Sequence, residues 1–168
     1  EERARNAGQY ARYTDMAKWT TSFSRSAGYT ARQLAVGVGE NSREMQIGVV
    51  SASFFGFFDA PPALGRYFTE AEDRADAKVV VLSHAVWQSQ FGGNPSALGH
   101  SVDLDGEPFR VIGVMPVDFA YQLSAELFRS ETFAELWMPL GVYPGARLPS
   151  RGSHNLAVVA RLLDGVTL

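Results

Sequence analysis

The chain has 168 residues, 46% hydrophobic and 20% charged, with 15 Lys and Arg against 18 Asp and Glu for a formal net charge of −3. That length and apolar content suit one domain, or two small subdomains sharing a core, and exclude a chain disordered throughout. The charge offers nucleic acid no general attraction, and the absence of cysteine excludes disulfides, thiolate zinc sites and thiol nucleophiles.

Glu1 to Asn6 is charged and lacks the apolar run and cleavage site of a signal peptide, so the chain is expected to begin inside a longer protein or to be cytosolic. No run approaches the roughly 20 apolar residues that cross a bilayer. From Gln9 to about Phe23, Tyr10, Tyr13, Met16, Ala17 and Thr20 recur at helical spacing, which predicts an amphipathic helix lying on a sheet. Polar and apolar residues alternate over Arg25–Leu34 and Arg43–Val50 around a turn-like Gly37–Asn41, which predicts a hairpin. Ser51-Ala52-Ser53 offers N-cap chemistry for a short helix through Phe54-Phe55-Gly56-Phe57-Phe58, ended by Pro61-Pro62.

Thr69 to Asp73 reads as a capped, acidic first helical turn. Val79 to Leu82 is a continuous apolar run, expected of a central strand buried on both faces. Ser83 can cap a helix from His84 to about Phe91, stopped by Gly92-Gly93-Asn94-Pro95. Asp105-Gly106, flanked by Ser101–Leu104 and Pro108–Val114, is the strongest hairpin signal in the chain, because glycine accepts the positive φ of a type I′ turn. Val117 to Glu135 has no clean period; short strands are expected over Glu135–Leu140 and Asn155–Leu163, with a Gly/Pro-rich connection from Gly141 to Gly152 between them.

A search for chemistry finds no phosphate-binding loop, dinucleotide fingerprint or nucleophile elbow. His84, His100 and His154 are scattered and lack metal-ligand spacing. Glu70, Glu72 and Asp73 suit a helix N-terminus better than acid–base work, and the Asp103, Asp105 and Glu107 spacing suits a solvated hairpin better than a calcium loop. Of the aromatic run, Phe54, Phe57 and Phe58 are expected in the core, with Phe55 over a subdomain seam; Trp87 and Phe91 are assigned to the core as well. The residues alone thus describe an α+β domain without a recognisable active site.

The order of the motifs carries more. Val50-Ser51-Ala52-Ser53-Phe54-Phe55 is followed by Ala63-Leu64-Gly65-Arg66-Tyr67-Phe68-Thr69 with Glu72-Asp73, Val79–Ser83, Trp87, Phe91–Pro95 and Leu98-Gly99. Then come Leu104 to Pro116, Phe119 and Glu135 to Leu140. From about Tyr13 to the C-terminus this series resembles the MacB-like periplasmic core domain of FtsX-like ABC transporter permeases, and the specificity lies in the order, since each piece alone is weak.

The resemblance implies an α+β fold in which a porter subdomain is split by an inserted sabre subdomain. Residues 1–62 would be the first part of the porter, 63–152 the sabre, and 153–168 the porter's final strand, cut before a last helix. It implies a domain on the extracytoplasmic face of the bacterial inner membrane, periplasmic in a Gram-negative organism. Its partners would be the permease's own transmembrane helices, a cytoplasmic ATPase domain or subunit, and a periplasmic adaptor or envelope protein. It implies no catalytic residue, cofactor or metal, only a mechanical relay of ATP-driven motion, with the isolated domain a monomer or weak dimer. Phe55, Phe58, Tyr143 and Arg147 form the expected partner surface. The alternative is a stand-alone extracytoplasmic ligand- or protein-binding module, motivated by the Phe54–Phe58 cluster and the Gly141–Gly152 loop; a hydrolase built on the scattered histidines and carboxylates is a remote third.

Overall fold

Continuous apolar runs, buried on both sides of the central strands, give the chain a sheet with two buried faces, seen in a computed structural model that describes residues 7–8, 13, 15, 18–37, 39–58, 60–73, 76–117, 119, 133–142 and 156–165. The strands are β1 (Ala7–Gly8), β2 (Phe23–Val36), β3 (Arg43–Val50), β4 (Leu64–Gly65), β5 (Val79–Leu82), β6 (Ser101–Leu104), β7 (Glu107–Val114), β8 (Leu136–Pro139) and β9 (Leu156–Leu162). They form one mixed sheet in the order β1-β9-β2-β3-β8-β5-β7-β4, with β6 hairpinned onto β7. The helix α1 (His84–Phe91) lies between β5 and β6. The α+β class expected from the sequence is the class observed.

The sheet is ordered by chain segment. Strands from residues 1–62 and 153–168 fill one half, and strands from 63–152 fill the other. The main join is β3 with β8, a parallel ladder from Ile47↔Leu136 to Val50↔Pro139, and β6 adds a second contact with β2 at Val36↔Leu104. At its entrance Glu135 ties three strands: its N–H donates to Gln46 O at 2.7 Å, its carbonyl accepts from Ser83 N at 2.8 Å, and its Oε2 accepts from Gln46 N at 3.1 Å.

Period two sorts the core. Ile47, Val49, Val80, Leu82, Leu136 and Met138 point to the face that carries α1, while Tyr29, Val79, Val81 and Trp137 point to the opposite, aromatic face. A bulge in β7, opposite Val80 and Val81, breaks the alternation and returns Val114 to the face of Val111. At the bulge a Cβ on Gly113 would overlap the backbone carbonyl of Arg66, so the close approach of β4 needs glycine there.

Several local expectations hold. Ser83 Oγ accepts from Val86 N, and Gly92 closes α1 in the left-handed conformation. Asp105 and Gly106 both have positive φ, 50° and 84°, as a type I′ turn requires. That hairpin docks on the end of β2, where Asp105 Oδ1 accepts from Ala35 N at 2.8 Å. Others are corrected. Ala52–Phe57 and Glu70–Glu72 are 3₁₀ turns and not α-helices. Both segments are too short for a second α turn, and Pro61-Pro62 bars extension of the first. Tyr13, Asp15, Lys18 and Trp19 are helical, but β2 already begins at Phe23.

Gly48 is the most sensitive position of the join. It faces Trp137 across the β3–β8 ladder, and a Cβ there would lie inside contact distance of the indole. Gly48→Ala is expected to lower stability by about 1–3 kcal/mol through overpacking. Urea unfolding followed by tryptophan fluorescence checks it, and an unchanged midpoint would show that the indole can move aside.

Candidate functional site

The aromatic face is built from the run at 54–58. The 3₁₀ turn over Ala52–Phe57 buries Phe54 and Phe55. Phe54 stacks on Trp137 with centroids 5.8 Å apart and meets Phe58 at 5.2 Å. Phe55 stacks face to face on Tyr67 at 4.2 Å and meets Phe68 and Trp137 edge-on. Each such pair adds about 0.5–1.5 kcal/mol beyond area burial. Residues 54–58 come from one half of the sheet and Tyr67, Phe68 and Trp137 from the other, so the cluster clamps the join. The Tyr67 hydroxyl donates to Ala60 O at 2.7 Å, and burial pushes its pKa up to about 12.

Polar groups cross the same join. Asp73 is mostly buried and accepts from Gly141 N at 2.6 Å and from Ala52 N at 3.3 Å, so one carboxylate holds backbone from both halves. Burial raises its pKa above the usual carboxylate value; the two N–H donors pull the other way, and the neighbouring Glu70 charge adds to the rise. Ser51, 2% exposed, does not cap its turn. Its hydroxyl accepts from Gly28 N at 3.1 Å, which ties the turn to β2.

Arg66 and Glu72 form a two-pronged ion pair, both N···O distances 2.7 Å, and Glu72 Oε2 also accepts from Thr69 N at 2.9 Å. The Arg66 hydrogen bond is the main cause that takes the Glu72 pKa down to about 2 from 4.5, and Arg66 is raised in turn.

The expected partner surface is only partly brought together. Phe55 is 4% exposed and buried among Phe54, Tyr67, Phe68 and Trp137, so it presents nothing to a partner; four large apolar neighbours outcompete solvent for it. Phe58 is half-buried, against Phe54 and Phe119. Tyr143 and Arg147 lie outside the described residues. Buried Phe54 and Phe55 remove the motive for reading the run as an exposed docking patch. His84 and His100 sit edge-on to Trp87 and Phe91, far from any shared ligand set, and among the described residues no group of three His, Asp or Glu could hold a metal ion. Asp73 has no local signal as a bridge, because its partners lie 21 and 68 residues away.

The fold is a split mixed sheet with a cross-join aromatic clamp. The chain belongs to the MacB-like periplasmic core domain family, whose model matches residues 3–168. The crystal structure of the periplasmic region of MacB from Actinobacillus actinomycetemcomitans shares the fold, with TM-score 0.69 and 19% identity over 98% of this chain and 68% of that one. The extracellular domain of the noncanonic ABC-type transporter YknZ from Gram-positive bacteria follows at 0.67 and 16%, covering 95% and 75%. The pyoverdine export ATP-binding/permease protein PvdT of Pseudomonas entomophila is 30% identical over 128 residues, 76% of this chain. The chain spans only 13–18% of the length of such relatives. Among the described residues no helix is long and apolar enough to cross a membrane.

The two carboxylates next to each other titrate with opposite sign. Glu72, with its folded pKa below the unfolded value, contributes stability above pH 4.5 that is lost as pH falls towards 2; Asp73, with its folded pKa raised, gains relative stability on protonation. Because Arg66 is half-exposed, the Glu72 contribution is about 1 kcal/mol and not the full shift. Glu72→Gln is expected to remove that amount at pH 7 and to flatten the acid limb between pH 4.5 and 2. Chemical denaturation at a series of pH values measures it, and an unchanged slope would show that Arg66 holds nothing.

Proposed function

We propose that this chain is the extracytoplasmic domain of an ABC transporter permease subunit and that it relays ATP-driven motion without chemistry of its own. One observation carries the relay: the two halves are knitted into a single sheet by the β3–β8 ladder, the aromatic clamp and Asp73. A displacement imposed on one half is therefore passed on and not absorbed, since close-packed interiors transmit strain. In this reading residues 1–62 and 153–168 are the porter and 63–152 the sabre. The permease's own transmembrane helices and a cytoplasmic ATPase domain or subunit drive the motion. A periplasmic adaptor or envelope protein receives it at a surface that includes Phe58, Tyr143 and Arg147. The relatives' names, for pyoverdine export and macrolide export, support export as the direction.

These 168 residues hold no cysteine, so Val117→Cys, at a position 65% exposed, reports their side of the membrane as the labelling gained over the unsubstituted parent protein. In intact cells expressing the parent protein, a membrane-impermeant maleimide is expected to label it once any outer membrane is made permeable. Labelling only after the inner membrane is lysed would sink the assignment.

The relay itself is read from Asp73→Ala, which frees Ala52 N and Gly141 N from their shared acceptor. In the intact transporter ATP hydrolysis is expected to persist while export falls on the order of tenfold, the size of an ordinary coupling term. Parallel loss of both, in a protein whose unfolding midpoint shows it still folded, would argue for a structural role only.

A further inference from the structure

A cavity of about 510 Å³ opens beside the join, between the start of β2, the 3₁₀ turn over Ala52–Phe57 and Glu70. Its volume is that of a small-molecule site, roughly 300–1,000 Å³. Two charged side chains line it, Arg25 from the porter half and Glu70 from the other. They form no ion pair with each other, and among the described residues neither has an ion-pair partner, although Arg66 and Glu72 close by are fully paired.

Arg25 is held in place. Its guanidinium lies 6.0 Å from the Phe57 ring centroid and against Gly56, where a Cβ would come within 2.9 Å of Nη1. A bare glycine leaves it that seat. The hydroxyls of the cavity have a fixed sense as well. Ser53 Oγ donates its only proton to Ser26 O at 2.7 Å, so the Tyr13 hydroxyl donates in its turn, to Ser53 Oγ at 3.2 Å or to Ser26 O at 3.5 Å. The Tyr13 oxygen is then left as an acceptor on the cavity wall, the same character as the Glu70 carboxylate. The cavity is therefore lined by donors on Arg25 and by acceptors on Glu70 and Tyr13.

We propose that this cavity binds a small zwitterion, a free amino acid or short peptide with uncapped termini, its carboxylate on Arg25 and its ammonium on Glu70 and Tyr13. Bound there, the ligand bridges the two halves of the sheet. The site is independent of the transport reading: it is tested on the isolated chain, and the Val117 labelling decides the other question.

The test is an amide NMR titration of the ¹⁵N-labelled 168-residue chain with glycylglycine, with free glycine, and with the N-acetylated, C-amidated dipeptide. Saturable shifts are expected at Ser24, Arg25, Ser26, Ser53, Gly56 and Glu70 with the uncapped probes and not with the capped one. Tighter binding of glycine assigns an amino acid, and tighter binding of the dipeptide a peptide. R25Q and E70Q, each removing an exposed charge, are expected to weaken binding at least about tenfold while leaving amide dispersion intact. Y13F is expected to weaken it less. No saturable shift with either uncapped probe, an equal response to the capped dipeptide, or full binding by R25Q would overturn the proposal; should a variant fail to fold, the comparison of capped with uncapped probes on the native chain decides alone.

Discussion

The packing on the aromatic face follows from one steric fact: the Trp137 indole occupies the space that any side chain at position 48 would need. With glycine there, β8 closes on β3 in parallel, Trp137 turns to the face away from α1, and Phe54 stacks on it. Phe55 then has a slot between Trp137 and Tyr67, and the short 3₁₀ turn that carries both phenylalanines is pinned from below. Remove the absence at 48 and each later contact loses its position. A large side chain opposite a glycine is a common way for a sheet to thicken one face without bending, and the cost of the glycine's conformational freedom is offset by the aromatic area it lets in.

The polar side of the join obeys a different logic. Asp73 sits where a carboxylate is costly, and two N–H donors offset only part of its desolvation. Apolar residues would fill the space at lower cost, but they would not fix Ala52 and Gly141 relative to one another. Arg66 and Glu72 nearby are partly solvated and cheap, and they order the turn at 69–72 that presents Asp73. The pair thus acts on the join through geometry, whereas Asp73 acts on it through direct bonds.

What the sequence shows about this fold is what is local. Asp105-Gly106 announces its own turn, because both φ values are set within two residues, and the apolar run Val79–Leu82 announces a strand covered on both sides. Ser83 and Gly92 bracket α1 for equally local reasons. The 3₁₀ turns at 52–57 and 70–72 carry the cap residues and acidic first turn of a longer helix, and the choice between the two rests on how far the chain can continue. The position of β8 between β3 and β5 has no local signal at all, since parallel pairing is decided by partners some 90 residues away. The candidate site shared that fate: Phe55 is legible as aromatic, but whether it faces solvent depends on Tyr67 and Trp137. Asp73, Arg25 and Glu70 look like ordinary surface charges until the fold sets them beside the join. The ordered motif series reached further than the residues singly, because order along the chain encodes these distant pairings indirectly.

For the proposed relay, the architecture sets where the domain is stiff. Load passing from β3 to β5 runs through β8, four residues long and buried along its whole length, while the β6–β7 hairpin gives a second route from the end of β2. Parallel ladders are slightly weaker per residue than antiparallel ones, and β8 meets β5 at only Val81↔Trp137 and Leu82↔Leu136. Hydrogen bonding alone would make this the soft point of the sheet. Packing reverses that: Leu136 and Met138 are locked against Ile47, Val49, Val80 and Leu82 on one face and Trp137 against the phenylalanines on the other. The two halves therefore move as a unit to the extent that side chains on β8 stay interdigitated, and the resistance to shear is set by core volume and not by the number of ladder bonds.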